Sequence, residues 1–378
     1  MIAKIQVRLK DNPYTIVIGN GILGKFPQTL HGLGLGKDAV IISHPLIERL
    51  HGGPLSAALK KAGYTVKVFN VPEGEKSKSA ACALRLLKQI SAYDVGREIF
   101  IIALGGGVVG DLAGFVAAVY KRGVPYVQVP TTLLAQIDSS IGGKTAIDLE
   151  TGKNLVGSFY QPRLVVSDTK VLKTLSQRQV RNGLAEAVKY GIIGDPKLFA
   201  FIEANHQEFL SFHCHSRPRQ KHSGVNSSGN LIHLVRCCAQ IKAKIVSADE
   251  KETKGLRTVL NFGHTVGHAI EAAGRYDQYH HGEAVGLGTR VAARISVSMG
   301  LLSQAQESRI NQLITHVGLP QKIKGVRLTK ILELMQHDKK FTAGHNRFVL
   351  AQKIGQVKVV RDIPANIIIE AIKLYLSF

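Results

Sequence analysis

The feature that most constrains the fold of this chain is an alternation of short apolar runs with helical segments, up to about residue 175. The runs are rich in β-branched residues and lie at 39–42, 65–69, 99–104, 127–129 and 164–166. Strands that alternate with helices form a parallel sheet covered by helices. Nucleotides bind such a sheet at the carboxyl ends of its strands. Residues 1–18 alternate apolar and polar on either side of Asp11-Asn12-Pro13, which predicts a β-hairpin.

The pattern becomes mainly helical after residue 174. Ser176–Gln179 resembles a capping box that opens a helix. Helical patterns follow at 196–210, 230–248, 264–273, 283–299, 303–317, 328–337 and 365–376, with strands only at 347–350 and 357–360. The sequence therefore predicts an α/β domain over residues 1–176 and a mainly α-helical domain over residues 177–378.

Length and composition indicate a globular protein with two domains. The chain has 378 residues, of which 45% are hydrophobic. Its apolar runs fall short of the roughly 18 residues that a membrane span requires, and residues 1–7 alternate like a strand instead of forming a signal-peptide core. We therefore expect a cytoplasmic protein that does not bind membranes. The four cysteines form no CxxC pair, which disfavours a disulfide framework.

The formal net charge of +22 suggests an anionic partner. Nucleic acid is disfavoured because the basic residues are spread along the chain and no basic stripe contains interleaved aromatic residues. A small anionic substrate accounts for part of the positive charge. It does not account for the whole excess.

Three histidines in a short stretch predict a metal site. His264 and His268 lie four residues apart in a helical pattern, which places them on one face, and His281 follows after a polar loop. Catalytic zinc commonly takes three protein ligands and keeps one position open. A carboxylate would complete the set, and Glu186 is the best candidate. The alternative is that the histidines are structural residues of a core. The neighbouring glycines favour the metal site over this alternative. The residue pattern leaves open which of the histidines are ligands.

Glycine-rich turns predict binding of phosphate groups. Gly105-Gly106-Gly107 follows the most apolar strand, so the free N–H groups of the next helix would meet a pyrophosphate; the alternative is tight packing. Gly142–Thr145 and Gly152–Asn154 are read as loops in which lysines follow glycines, which suits a phosphate oxyanion. A Walker A motif is disfavoured, because Asp138 stands where that motif requires glycine.

Taken in order, these motifs resemble the 3-dehydroquinate synthase family over nearly the whole chain. The segments that carry the resemblance are Glu73–Lys78, Gly105–Asp111, Arg122-Gly123, Pro130–Leu134, Asp138–Ser140, Gly142–Thr145, Gly152–Asn154, Gly183–Glu186, Asn261–Glu271 and His281–Glu283. So many motifs in one order make the resemblance specific. Three features depart from the family: an added residue within 249–257, the high net charge, and residues 211–230, which we expect to be a mobile loop.

The resemblance implies a Rossmann-like α/β domain that binds NAD, a helical domain that binds a divalent metal, an active site in the cleft between them, and a homodimer. Zn²⁺ is the expected metal, with Co²⁺ as the alternative. The implied reaction converts 3-deoxy-D-arabino-heptulosonate 7-phosphate into 3-dehydroquinate and phosphate, in the shikimate pathway of aromatic amino acid biosynthesis. Its implied steps are NAD-mediated oxidation, β-elimination of phosphate, reduction, ring opening and intramolecular aldol closure.

The resemblance also assigns roles to individual residues. The implied metal ligands are Glu186, His264 and His281. The residues implied to bind the cofactor are Glu75, Lys78, Gly106, Gly107, Val108, Gly110, Asp111, Thr131, Thr132, Lys144, Lys153 and Thr174. The residues implied in catalysis are Lys144, Asn154, Asn261 and His268 on the phosphate side, Lys242 and Arg257 on the carboxylate side, and Arg122 of the partner subunit. One of Lys339 and Lys340 is expected to join them.

Three other functions fit parts of the sequence. A metal-dependent polyol dehydrogenase shares the two-domain plan, but the phosphate-side set of Lys144, Lys153 and Asn154 argues against it. Other sugar-phosphate cyclases are closer alternatives. Lys242, Arg257 and His268 favour a substrate that carries a carboxylate over the substrates of those enzymes. A nucleic-acid-binding protein rests on the net charge alone.

Overall fold

The computed structural model describes residues 2–211, 227–336, 341–342 and 345–377. These residues form two compact units. The first unit contains residues 2–176 and 227–251, and the second contains 177–211 and the described residues from 252 onward.

The strands and helices of the first unit alternate as the apolar runs predict. Its strands are β1 (Ile2–Val7), β2 (Tyr14–Gly19), β3 (Asp38–Ser43), β4 (Thr65–Asn70), β5 (Ile99–Gly105), β6 (Tyr126–Pro130), β7 (Lys144–Leu149), β8 (Gly152–Phe159) and β9 (Leu164–Asp168). Its helices are α1 (Pro27–Leu30), α2 (Pro45–Ile47), α3 (Gly53–Lys61), α4 (Ala80–Tyr93), α5 (Gly107–Val119) and, after α6 and α7 of the second unit, α8 (Ser227–Ala248).

Seven of these strands form one sheet in the order β1-β2-β9-β6-β5-β3-β4. All neighbours in it are parallel except β1 and β2, which form the predicted hairpin. Strand β5 is buried along its whole length, as the continuous apolar run predicts. Helix α5 begins two residues after β5 ends, and its Leu112 and Val116 are fully buried in the core.

Residues 144–159 differ from the sequence prediction. They form a two-stranded antiparallel hairpin of β7 and β8, where the sequence suggested loops. The glycines and lysines that indicated loops lie at the starts of the two strands. Lys144 is exposed where β7 begins, and Gly152 and Lys153 begin β8, whose side chains are largely exposed.

The grouping of α8 also differs from the sequence prediction. The sequence assigned residues 177–378 to a second domain, whereas α8 belongs to the first unit and packs on β1, β2 and the helical turn Ala135–Ser139. Buried apolar side chains such as Val235 and Val246 explain this packing. For the residues other than α8, the domain boundary at residue 177 remains a prediction.

The second unit is mainly helical. Its helices are α6 (Gln177–Gly194), α7 (Pro196–Ser211), α9 (His264–Ala273), α10 (His281–Ser298), α11 (Gln304–His316), α12 (Leu328–Gln336) and α13 (Ala365–Lys373). A small antiparallel sheet contains β10 (Phe341–Thr342), β11 (His345–Lys353) and β12 (Gln356–Arg361). Its core includes Val266, Leu287, Phe348 and Ile372, from four different elements. This α/β unit followed by a helical unit confirms the predicted fold class.

Within the described residues, the helices are either too short or too polar to cross a membrane.

Candidate metal centre and cofactor site

Three side chains of the second unit converge on one point. Glu186 lies on α6, His264 is the first residue of α9, and His281 is the first residue of α10. Oε1 of Glu186 lies 3.4 Å from Nε2 of His264 and 3.4 Å from Nε2 of His281. In a tetrahedral site with metal–ligand distances of about 2.0–2.1 Å, ligand atoms lie roughly 3.3–3.4 Å apart. Both distances from Glu186 therefore match those between ligands of a single divalent cation, and all three ligand atoms lie within 4.8 Å of one another.

Glycines let the three helices approach closely enough to form this cluster. A Cβ atom on Gly288 of α10 would overlap the carbonyl oxygen of Gly263, the residue before α9. A Cβ on Gly282 would overlap Asn182 of α6 in the same way. Gly263 itself has φ +76°, a left-handed conformation that glycine adopts without strain. The glycines that flank the histidines thus place both imidazoles beside Glu186.

Hydrogen bonds fix both imidazole rings with Nε2 toward the cluster. Nδ1 of His264 lies 3.0 Å from the carbonyl oxygen of Phe262, to which it donates. Nδ1 of His281 lies 3.2 Å from Oε2 of Glu271, two helical turns beyond His264 on α9. An acceptor on the second nitrogen is the usual way in which proteins orient a metal-binding histidine. Both the spacing of the candidate ligand atoms and the hydrogen bonds that orient the imidazoles thus fit a metal ion.

The charges around Glu186 keep its carboxylate ionised. The side chain is completely buried and pairs with the ammonium of Lys189, which is also buried. Burial by itself would raise the pKa of Glu186, but Lys189 and the two imidazoles hold this pKa well below its usual range. Burial lowers the pKa of His264 to about 3. Burial also opposes protonation of His281, but contacts with Glu186 and Glu271 raise its pKa to about 10.

His268 lies beside the cluster without completing it. Its ring centroid is 5.2 Å from that of His264 and 6.0 Å from that of His281, and its side chain is exposed. Among the residues that the structure describes, the group whose ligand atoms could hold one metal ion is Glu186, His264 and His281, with these atoms within 4.8 Å of one another. The geometry therefore favours His264 and His281 over His268 as candidate ligands.

In the first unit, Lys78 is the centre of a charged network. Its buried ammonium lies 2.6 Å from Oδ2 of Asp111, 4.0 Å from Oδ1 of Asp148, and donates to Oδ1 of Asn154. Burial opposes its charge, but Asp111 outweighs this effect and raises the pKa of Lys78. Asn154 has φ +59°, and its backbone N–H donates to Asp148. The network thus holds three of the predicted residues together.

The start of α5 has the features of a pyrophosphate site. No side chain caps this helix at Gly106, so its first N–H groups face outward from the turn. A Cβ on Gly107 would lie 2.9 Å from Oγ of Ser139, and the buried Oγ atoms of Thr131 and Ser139 have no hydrogen-bond partner. Predicted residues Gly106, Gly107, Val108, Gly110 and Asp111 all lie in or beside this first turn. Buried hydroxyls without partners next to an open helix end are consistent with a bound polar ligand.

The other predicted residues are distributed over both units. Lys153 pairs with Glu75 at 3.6 Å, Thr132 accepts from the N–H of Ala135 at 3.1 Å, and Lys144 is exposed at the start of β7. Lys242 on α8 donates to the carbonyl oxygen of Asp138 at 2.7 Å. In the second unit, Arg257 is buried with Nε 3.5 Å from Oε1 of Glu252, and Asn261 ends the same helical turn.

The remaining predicted residues that the structure describes are Thr174 and Arg122. Thr174 donates to the carbonyl oxygen of Val171 and contacts His51. Arg122 is exposed in a tight turn, with φ +62°. Lys339 and Lys340 lie outside the described residues, as does most of the expected loop at 211–230.

The sequence analysis assigned no role to Glu271, which lies in the Asn261–Glu271 motif, or to Lys189, which follows the Gly183–Glu186 motif. Glu271 follows His264 by seven residues and His268 by three, a spacing that places all three on one helical face. Lys189 follows Glu186 by three residues on α6. Both spacings are visible in the sequence once Glu186 and His264 are taken as ligands.

Comparisons with known proteins identify the family of the chain. Residues 68–182 match the 3-dehydroquinate synthase N-terminal family, and residues 183–341 match the 3-dehydroquinate synthase C-terminal family. The chain is 44% identical over 367 residues to a 3-dehydroquinate synthase of Pelotomaculum thermopropionicum, covering 97% of this chain and 95% of that one.

Two solved structures are similar in fold as well as in sequence. One is a 2-epi-5-epi-valiolone synthase of Streptomyces hygroscopicus with NAD⁺ and Zn²⁺ bound, with TM-score 0.85, 25% identity and coverage of 97% of this chain and 98% of that chain. The other is a 2-deoxy-scyllo-inosose synthase in complex with carbaglucose-6-phosphate, NAD⁺ and Co²⁺, with TM-score 0.83, 26% identity and coverage of 99% and 100%. The resemblance inferred from the motifs is confirmed. The chain belongs to the 3-dehydroquinate synthase family and is an enzyme of the shikimate pathway.

Proposed function

We propose that this chain converts 3-deoxy-D-arabino-heptulosonate 7-phosphate into 3-dehydroquinate and phosphate, with NAD held by the first unit and a divalent metal held by Glu186, His264 and His281. The observation that carries the proposal is the pair of 3.4 Å separations from Glu186 Oε1 to two oriented Nε2 atoms. Zn²⁺ is the metal we propose, with Co²⁺ as the alternative, since similar structures contain one or the other.

The two bound groups supply chemistry that side chains lack: NAD takes up and returns a hydride, and a divalent cation polarises a substrate oxygen as a Lewis acid. The protein has to hold these groups and the substrate in fixed positions. Glu186 stays ionised beside Lys189, and both imidazoles present Nε2 because their Nδ1 atoms are already engaged.

In the first unit, we propose that the open first turn of α5 binds the pyrophosphate of NAD. Thr131 and Ser139 offer buried hydroxyls to the same ligand. Lys78 and Asp111 hold Asn154, at the start of β8, in a left-handed backbone conformation. Such a conformation is uncommon for a residue other than glycine, and it is stabilised here by the contacts of Asn154 with Lys78 and Asp148.

The substrate is an anion at both ends, and cationic residues are proposed for both. Lys144, which is exposed, is proposed to bind the phosphate, together with Asn154, Asn261 and His268. Lys242 and the buried Arg257 are proposed for the carboxylate, since a guanidinium matches the geometry of a carboxylate. Fixed charge of this kind stabilises developing negative charge without reorganisation.

We also propose that the active enzyme is a homodimer in the cytoplasm, in which Arg122 of the partner subunit reaches the substrate. The exposure of Arg122 in a turn with positive φ supports this proposal.

The decisive test is release of phosphate from the heptulosonate phosphate. We expect turnover to require both NAD and metal: a chelator abolishes it and added Zn²⁺ or Co²⁺ restores it. NADH should not accumulate, because the hydride is returned; steady accumulation would indicate a polyol dehydrogenase instead. Phosphate release that survives thorough removal of NAD and metal contradicts the proposal.

A pair of variants separates ligand from substrate roles. His264→Ala should lose both metal and activity, whereas His268→Ala should lose activity and retain metal, measured by elemental analysis of the purified protein. Retention of metal by His264→Ala would contradict the proposed ligand set. Loss of metal from His268→Ala would indicate that His268 is a metal ligand.

A further inference from the structure

Helices α10 and α11 line an open polar cavity in the second unit. Its volume is about 530 Å³. The lining side chains that bear on its chemistry are Arg290, Arg294, Glu307, Asn311, Thr315 and His316. Every residue that lines the cavity has a polar or charged side chain, so we expect a ligand for it to be polar.

Arg290 is a buried cation in this cavity without an anionic partner. The residue is 5% exposed. Its guanidinium donates to Oδ1 of Asn311 at 3.3 Å and to Oγ1 of Thr315 at 2.7 Å, both of which are neutral, and Nε has no hydrogen-bond partner. Among the residues that the structure describes, no carboxylate oxygen lies within 4.0 Å of it. Burial lowers the pKa of Arg290, which is the direction expected for a guanidinium that lacks a counter-ion.

The neighbouring charges do not neutralise Arg290. Arg294, one helical turn further along α10, lies 2.8 Å from Oε1 of Glu307, so these two charges balance each other. The ring of His316 stacks on His206 at a centroid distance of 5.0 Å. The cavity therefore carries at least one net positive charge. A buried charge is costly unless a counter-ion compensates it.

The cavity is distinct from the metal centre. Arg290 follows His281 by nine residues on α10, which is a separation of roughly 13 Å along the helix and about half a turn around it. The two side chains therefore leave opposite faces of one helix.

We propose that this cavity is a binding site for a small oxyanion, such as inorganic phosphate or the phosphate group of a small metabolite. Arg290 supplies the charge and a forked set of donors that matches a tetrahedral oxyanion. Oγ1 of Thr315 and Oδ1 of Asn311 accept hydrogen bonds from the guanidinium and hold it in place. The Arg294–Glu307 pair is balanced in charge, so it adds no net charge to the site.

The test is a calorimetric titration of the full-length enzyme with inorganic phosphate at constant ionic strength, repeated with glycerol phosphate to distinguish free from esterified phosphate. Arg290→Gln removes the charge. Arg309→Gln is the matched control, because it removes an arginine of α11 whose guanidinium is bound to Glu203. Both are also made in a Lys144→Gln background, so that phosphate bound at the proposed active site is not counted.

We expect Arg290→Gln to weaken phosphate binding about tenfold or more, and Arg309→Gln to leave it unchanged. Equal binding by wild type and Arg290→Gln overturns the proposal, as does an equal loss in both variants. If Arg290→Gln does not fold, Ser308→Asp gives the answer, because this exposed cavity residue then carries a repelling charge. Wild-type affinity in Ser308→Asp overturns the proposal; a tenfold loss supports it.

Discussion

Replacing Glu271 with glutamine tests whether a residue outside the ligand set controls the metal centre. The change preserves size and a hydrogen-bond acceptor and removes the negative charge that lies 3.2 Å from Nδ1 of His281. Loss of an outer partner of a metal-binding histidine typically costs 10–100-fold in metal affinity, or about 1.4–2.7 kcal/mol. The size of this loss should also depend on pH, because a proton competes with the metal for Nε2 of His281.

His281 has to give up the proton on Nε2 in order to bind a metal. Its pKa of about 10 means that the proton competes at neutral pH. The apparent affinity of the wild type should therefore rise about tenfold per pH unit and level off near pH 10. In Glu271→Gln the pKa of His281 falls, since one of the two carboxylates that raise it is gone. The variant should therefore show a shallower pH dependence and its largest deficit at high pH.

The assay is competition for Zn²⁺ with a chromophoric chelator at pH 7.5 and pH 9.5. We expect Glu271→Gln to bind about 10–100-fold more weakly at pH 9.5, and the deficit to shrink at pH 7.5. Glu370→Gln is the control, since it removes an exposed carboxylate of α13 that pairs with Lys373. An affinity and pH slope equal to those of the wild type would refute the assigned role of Glu271.

Three further substitutions test the fold and the cofactor site. Asp38→Asn should lower the free energy of unfolding in urea by about 1–3 kcal/mol. Burial would raise the pKa of Asp38, but its hydrogen bonds outweigh burial and lower this pKa. The stabilisation is therefore complete above pH 3.8 and should be lost as the pH falls through the lowered pKa. Gly288→Ala should destabilise the protein by about 3 kcal/mol and release metal, because its Cβ would overlap the carbonyl oxygen of Gly263; unchanged thermal stability would exclude this packing. Lys78→Met should weaken NAD binding in fluorescence titrations, because the partner of Asp111 is lost; an unchanged dissociation constant would remove Lys78 from the cofactor site.

The fold was largely predictable because its signals are local. Runs of β-branched residues at 39–42 and 99–104 became β3 and β5, and the helical pattern at 264–273 became α9 with the same bounds. Signals of this kind depend on the near neighbours of each residue. The hairpin at 144–159 escaped prediction because glycine and lysine, which begin its strands, are depleted in strands and therefore indicated loops.

The metal centre was predictable only in part. The residue pattern left open which of the three histidines are ligands, and the resemblance implied His264 and His281. The structure brings these two together with Glu186 and leaves His268 beside them. Which imidazole reaches Glu186 depends on how α6, α9 and α10 cross, and this crossing is decided by glycine contacts between helices distant in sequence.

By itself, the amino-acid sequence determined the family, the activity, the alternation of strands and helices, and the residue types available for binding metal and phosphate. Only the tertiary structure decided that α8 packs with the first unit, that Glu271 orients His281, and that Arg290 lies in a polar cavity without a counter-ion. The reason is physical: residue type and spacing set local conformation and chemistry, but the charge state, orientation and burial of a side chain depend on neighbours that folding brings together.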